Sequence, residues 1–304
     1  MSLTKPDVNL LIALTTAAGY WLGVCAQGRT LSAVGLTHTI VGTVLVASGT
    51  ATMNQLMERD FDAVMRRTAH RPLAAGRIRP STALAFGLLL VAIGVIELAM
   101  VVNTMAAVIA LTTLAVYLFV YTPLKRRTSL CTLIGAVPGA ASPLIGWAAA
   151  TGSLTLEAWV LFVMVFLWQF PHFMAIAWMY RADYQRAGFR IVPPGETGAR
   201  LMLGQSTVPL FLLVPVTLVP VFMGRAGPVY LAAAVVLGAA FIYQAARLAV
   251  ARSNAMARRL LFASIVYLSL ILTVLMLDQV TPKFIRAQPN RPANAAAVAV
   301  KPVR

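Results

Sequence analysis

Apolar residues run through this chain in blocks separated by short polar segments. The blocks fall at about residues 8–26, 32–57, 82–101, 104–122, 129–150, 156–180, 204–223, 228–247 and 260–278. Each is close to the roughly 17–25 residues that an α-helix needs to cross a bilayer. The Gly, Pro, Ser and Thr residues inside them are ordinary for membrane helices. The pattern predicts an all-α, polytopic membrane protein of nine spans, forming one domain over residues 1–280. The segment 281–304, with its Pro, Asn, Ala and basic residues, has too little large apolar surface to fold alone and reads as a disordered tail.

Composition supports a membrane domain over a soluble domain with an anchor: 60% of the 304 residues are hydrophobic, 11% are charged, and the mean hydropathy is +0.81. The net charge of +16 would suggest nucleic acid in a soluble protein. Here the cations lie between the spans, where they set orientation and meet anionic head groups, so no nucleic-acid partner is expected and the non-protein surroundings are membrane lipid. With the N-terminus inside, the inner segments carry eighteen Lys and Arg and the short outer loops only Arg29 and Arg225. That asymmetry predicts a cytoplasmic N-terminus and an odd number of spans. The five basic residues of the tail then fall outside, against the rule. The first apolar run is long enough to remain as a span, unlike the short core of a cleaved signal, and no Arg/Ser-rich presequence precedes it; a bacterial inner membrane is the expected location. Cys25 and Cys131 lie in apolar runs without CxxC spacing and suggest neither a disulfide framework nor a metal cluster.

Charge concentrates in two inner segments. Residues 54–72 hold three of the nine acidic residues and four of the 25 basic ones. On a helix turning about 100° per residue, Asn54, Glu58 and Asp62 stand one turn apart on one face, with Asp60 pointing away. An oxygen-rich edge of this kind suits Mg²⁺, which binds through one or two carboxylates plus substrate phosphates. Arg67 and Arg71, just beyond, present the fork that fits phosphate oxygens. The bland alternative is an interfacial helix end whose Glu and Arg pair in solvent. The second segment runs from Trp168 through His172 to Asp183 and Gly188. In an unbroken helix His172 and Asp183 face nearly the same way, with His172 about 16 Å deeper. An ionisable group at such depth is a functional candidate, against the alternative of a neutral His bonded to a backbone carbonyl.

These residues carry a recognisable pattern. The spacing Asn54-x-x-x-Glu58-x-x-x-Asp62 resembles the first motif of the UbiA family of intramembrane prenyltransferases. Met65-x-Arg67-Thr68-x-x-Arg71-Pro72-Leu73, Tyr121-Thr122-Pro123-Leu124-Lys125-Arg126, Pro143-Leu144-Ile145-Gly146-Trp147, Trp168-Gln169-x-Pro171-His172-Phe173 and Arg181-x-Asp183-Tyr184-x-x-Ala187-Gly188 are similar to the branch of that family that farnesylates haem. The resemblance covers roughly residues 5–280. It implies a nine-helix bundle with a central cavity, both acidic motifs at its cytosolic mouth, and transfer of the farnesyl group of farnesyl diphosphate to a vinyl group of haem B. Water then completes the substituent, and the product, haem O, serves terminal oxidases. Haem A synthase and oxidase-assembly factors are the further partners it implies.

Two departures stand out. The family's second motif has two acids, whereas Asp183 is followed four residues later by Ala187, and Cys131 stands where Asn is expected in this branch. Under this resemblance Asn54, Glu58, Asp62 and Asp183 are expected to hold Mg²⁺, and Arg67, Arg71, Lys125 and Arg126 to hold the diphosphate. His172 is the first candidate for haem iron. His38 is the second, about 24 Å from Asn54 along a straight helix. His70 is expected near phosphate or propionate. A UbiA-type enzyme acting on an aromatic quinone precursor shares the first motif and is the nearest rival. A transporter would carry its ionisable groups at the membrane centre, not at its inner surface.

Overall fold

A computed structural model of the chain describes residues 3–191 and 195–279. Among these, nine helices are long and apolar enough to cross a membrane: Pro6–Ala26, Ala33–Met57, Pro80–Val102, Thr104–Leu124, Cys131–Thr151, Leu156–Met179, Gly195–Phe222, Pro228–Ala251 and Asn254–Leu277. The protein is a multi-pass membrane protein and all-α; the extended pairing among the described residues is one isolated bridge between Ala226 and Gln279. The predicted tail 281–304 lies outside the described residues.

The first six helices match the predicted spans to within about two residues at each end. The last three overrun them: the seventh starts at Gly195 instead of about 204, the eighth ends at Ala251 instead of about 247, and the ninth starts at Asn254 instead of about 260. Hydropathy detects only the lipid-crossing part of a helix. The extra turns of the seventh and ninth helices carry Glu196, Arg200, Arg258 and Arg259, charges that lower hydropathy while the backbone stays helical.

Small residues set how closely the helices approach, because apolar burial from water does not drive association inside lipid. The second and third spans cross at Gly49 and Gly87, where a Cβ on Gly49 would stand 2.6 Å from the Gly87 carbonyl oxygen. The first and fifth spans cross at Gly19 and Gly146, where a Cβ would overlap the backbone of Pro143 or Thr16. The sixth span runs through the middle of the bundle, burying Leu161, Met164, Trp168, Met174 and Trp178, while Leu88, Leu89, Ile93 and Ile96 of the third face outward as a lipid-facing surface.

Three departures from regular helix shape the end of the bundle that carries the charged loops. In the fourth span the turn Val116–Tyr121 is a π-helix. It ends two residues before Pro123, which lacks an N–H and would crowd the carbonyl four residues back, so a widened turn relieves the clash. The second span stops at Glu58, with backbone φ −101° and ψ 5°, and the chain restarts as the short helix Arg59–Val64. The sixth span likewise stops at Tyr180 and restarts as Arg181–Arg186. Met65, Ala187 and Phe189 bury one another, with Phe61, Tyr184 and Ile191 packed around them. The two charged loops therefore dock on each other and hold one another in place.

Candidate active site

Beneath the docked loops lies a cavity of about 230 Å³ whose lining includes Lys5, Asn54, Glu58, Asp62, Arg67, Arg71, Tyr117, Tyr121, Lys125 and Tyr184. Phe173, Met174, Ile176 and Phe189 add apolar wall. Polar groups at one end and apolar ones along the side give an amphipathic pocket. A smaller hollow of about 40 Å³ at the other end of the bundle contains Glu157 and Arg225, paired with each other at 2.7 Å. Its charges are already satisfied, so it is the weaker candidate.

The break at Glu58 does not scatter the first motif. Asn54, Glu58 and Asp62 all reach the cavity and are 1%, 7% and 1% exposed. The Glu58 amide donates to the Asn54 carbonyl and the Asp62 amide to the Glu58 carbonyl, so hydrogen bonding passes through the break. Asn54 Nδ2 donates to Glu58 Oε2 at 2.9 Å, and Lys125 Nζ donates to Glu58 Oε1 at 2.8 Å. Thr122 Oγ1 lies 2.9 Å from both Asn54 Oδ1 and the Tyr117 carbonyl, tying the motif to the π-helical turn. Arg71 Nη1 donates to Asp62 Oδ2 at 2.6 Å. Among the described residues, buried Asp62 Oδ1 accepts no hydrogen bond and buried Arg67 Nε has no acceptor. One open carboxylate oxygen and one open guanidinium N–H at the same cavity are what a cation and an anionic ligand would complete.

The other expected residues are placed differently from one another. Asp183 is buried at the rim. Its Oδ2 accepts from the Arg67 amide at 3.1 Å, and its Oδ1 is engaged by Arg186. No described hydrogen bond or ion pair joins it to Asn54, Glu58 or Asp62. Arg67 is stacked on Tyr180, 4.9 Å from the ring centroid, with Tyr184 beside it. Arg126 is exposed, with its guanidinium 4.5 Å from the Phe61 ring centroid and its side chain outside the cavity lining. His70 is exposed. His38 pairs with Glu97 of the third span at 2.5 Å, near the opposite ends of both helices from the cavity.

His172 stands among Trp168, Phe173 and Ser264 and is not itself a lining residue, although its neighbour Phe173 is. The Ser264 hydroxyl donates to the Leu261 carbonyl at 2.6 Å, so its oxygen accepts from His172 Nδ1 at 2.8 Å. With the hydroxyl so engaged, Nδ1 carries the proton and Nε2 the lone pair, the form that ligates iron.

Lys5, Tyr117, Tyr121 and Tyr184 line the cavity without having been expected there, although Tyr121 and Tyr184 stand in the quoted motifs. Tyr117 and Tyr121 are four apart and flank Lys125, whose Nζ lies 4.5 Å from the Tyr121 centroid. The spacing was visible but is shared by many membrane-helix aromatics. Cys131 is buried in the cavity wall. Burial pushes the Tyr184 hydroxyl above its usual range, so it remains protonated at neutral pH. Among the described residues no three His, Cys, Asp or Glu side chains converge on a point. This donor set suits an oxygen-loving cation that shares its coordination with a ligand, and does not suit a fully protein-caged one.

Nine spans around an amphipathic pocket, cationic and oxygen-rich at one membrane face, define an intramembrane enzyme for a lipid-like anion. The chain belongs to the UbiA prenyltransferase family, whose model matches residues 12–271, and it is a prenyltransferase. It is 46% identical over 285 residues to the protoheme IX farnesyltransferase of Solibacter usitatus, covering 92% of this chain and 98% of that one. It is 40% identical over 281 residues to the protein of the same name from Myxococcus xanthus, covering 92% and 94%. Its fold is similar to the apo structure of a UbiA homologue from Aeropyrum pernix, with TM-score 0.70 and 19% identity, covering 87% of this chain and 96% of that one. It is also similar to a UbiA homologue from Archaeoglobus fulgidus bound to DMAPP and Mg²⁺, with TM-score 0.63 and 14% identity, covering 90% and 98%.

Proposed function

We propose that this prenyltransferase moves the farnesyl group of farnesyl diphosphate to a vinyl group of haem B, yielding haem O, with Mg²⁺ as cofactor and the cavity mouth at the cytoplasmic face of a bacterial inner membrane. The observation that carries the reading is the open Asp62 Oδ1 beside Arg67, Arg71 and Lys125 at the polar end of an otherwise apolar and aromatic cavity. The names of the relatives supply the acceptor, and the DMAPP and Mg²⁺ of the Archaeoglobus neighbour make a prenyl diphosphate and that cation natural choices.

In this reading Asp62 and Asn54 hold Mg²⁺, directly or through water, with Glu58 beside them. Bound there, Mg²⁺ supplies positive charge to the diphosphate oxygens as the bond to carbon lengthens. Arg67, Arg71 and Lys125 act on the same developing charge, and they lower the barrier because they bind the departing diphosphate more strongly than the intact ester. Asp183 serves by holding the Arg67 loop, its carboxylate clamped between the Arg67 amide and Arg186. Arg126, on the outside, orients the loop against Phe61 and does not meet the anion. Tyr117, Tyr121 and Phe173 wall the adjoining space, where they exclude water and offer π faces to an allylic cation.

Two measurements test the substrates. Purified protein given haem B, farnesyl diphosphate and Mg²⁺ should yield a haem heavier by one farnesyl group and one hydroxyl, identified by mass spectrometry. Unchanged haem together with prenylated 4-hydroxybenzoate would overturn the acceptor while keeping the diphosphate site. For His172, a His172→Ala variant should lose the wild-type haem Soret position and weaken haem binding about tenfold, with pyrophosphate binding unchanged. An unaltered Soret spectrum would remove His172 as the iron ligand.

A further inference from the structure

The N-terminal residues ahead of the first span form a strap on the cavity. Gln55, on the motif helix next to Asn54, donates from Nε2 to the Leu3 carbonyl at 2.8 Å. Asn9 Nδ2 lies 2.9 Å from the Thr4 carbonyl and 2.7 Å from Ser48 Oγ on the second span. Between these anchors Lys5 adopts φ 49° and ψ 67°, a left-handed backbone that only one other non-glycine, Arg252, shares among the described residues. A residue before proline is normally steered to extended backbone, and Pro6 follows, so this conformation is unfavourable on two counts.

The strained turn carries the Lys5 side chain into the cavity lining, beside Glu58, Arg71 and Lys125. Lys125 pairs with Glu58 and Arg71 with Asp62, while Arg67 stacks on two tyrosine rings with its Nε open. No described ion pair or side-chain hydrogen bond involves Lys5. Burial, together with Arg71 and Lys125 nearby, holds its ammonium below the ordinary lysine value. A strained backbone that presents an unpaired, partly desolvated ammonium to a pocket already rich in positive charge is unfavourable in the empty protein. A polyanion in the pocket reverses each electrostatic cost.

We propose that Lys5 is a ligand of the diphosphate, delivered by an N-terminal strap that Gln55 and Asn9 latch to the second span, so that the strap and the anion hold each other in place. This rests on the prenyl-diphosphate reading above and extends it: the anion site includes residues ahead of the first span, and the motif helix positions them through Gln55. Gln55 is a positioning residue here, since it reaches the anion only through the strap.

The test is direct binding of inorganic pyrophosphate, with Mg²⁺, to the full-length protein in detergent by calorimetry. Lys5→Ala should weaken binding by about 10- to 100-fold, the range of one charge-assisted hydrogen bond. Lys5→Arg should stay within about threefold of wild type, and Gln55→Met should weaken pyrophosphate binding in the same direction as Lys5→Ala. Melting temperatures of the two Lys5 variants should match wild type, because no described hydrogen bond or ion pair of the Lys5 side chain is lost. Undiminished pyrophosphate binding by Lys5→Ala overturns the proposal, as does a loss confined to haem binding, which would assign Lys5 to a carboxylate. Failure of the wild-type protein to bind pyrophosphate would instead overturn the diphosphate reading itself.

Discussion

Asp62→Asn should reduce kcat/KM by about 10²–10³-fold, the range seen when one preorganised electrostatic contact to developing charge is removed. The substitution conserves shape, and the amide oxygen can still accept from Arg71, which donates to Asp62 Oδ2 at 2.6 Å in the wild type. What it takes away is the negative charge behind the unpartnered Oδ1. A buried carboxylate oxygen without a donor costs stability, by about 1–3 kcal/mol or more for a charged group. Its presence in the buried site therefore argues for a ligand that completes it. If that ligand is Mg²⁺, the variant needs a higher Mg²⁺ concentration for half-maximal rate, and excess chelator stops the wild type reversibly. A variant with the wild-type rate and Mg²⁺ midpoint would reduce Asp62 to a counter-ion for Arg71.

The same residue shows what a sequence can reveal about such a site. Carboxylates are scarce in this chain, and two of them following an Asn at four-residue spacing are conspicuous. A regular helix was sufficient to bring Asn54, Glu58 and Asp62 to one face, and the break at Glu58 preserved that face because hydrogen bonding continues through it. The spans were legible for a similar reason: lipid imposes a length and a polarity on every helix that crosses it. Where the solvent changes, legibility ends. The first turns of the seventh helix carry Glu196 and Arg200 and looked like loop. Lys5 looked like an orientation signal, since nothing in its neighbours announces a left-handed turn. Asp183 read as a metal ligand, yet its partners Arg67 and Arg186 are a matter of how two loops dock. His172 and Asp183 were placed on one face by assuming an unbroken helix, which in fact ends at Tyr180.

The Glu58–Lys125 pair should separate stability from catalysis. The two side chains are about one-tenth exposed and bonded at 2.8 Å. Glu58→Gln leaves a buried ammonium without its counter-charge, and Lys125→Met leaves a buried carboxylate; each should cost about 3–5 kcal/mol of stability. The double variant removes both charges and should recover most of that loss, as replacement of a buried pair by uncharged groups often does. Turnover should not recover, because the double variant still lacks the Lys125 charge that acts on the departing diphosphate. Recovery of both would make the pair a structural brace alone. The pH dependence follows from the direction of the lysine's shift. Burial pulls the Lys125 ammonium down, the Tyr121 phenol and the Glu58 carboxylate push it up, and the net displacement is upward. A raised pKa means that the lysine's contribution is complete below the ordinary value of about 10.4 and is lost only as pH climbs through the raised one. The stability gap between wild type and Lys125→Met should therefore stay level from about pH 6 to 9 and close only in strongly alkaline solution. Thermal unfolding across that range measures it, and a gap that closes near neutrality would show that Lys125 is not held charged by Glu58.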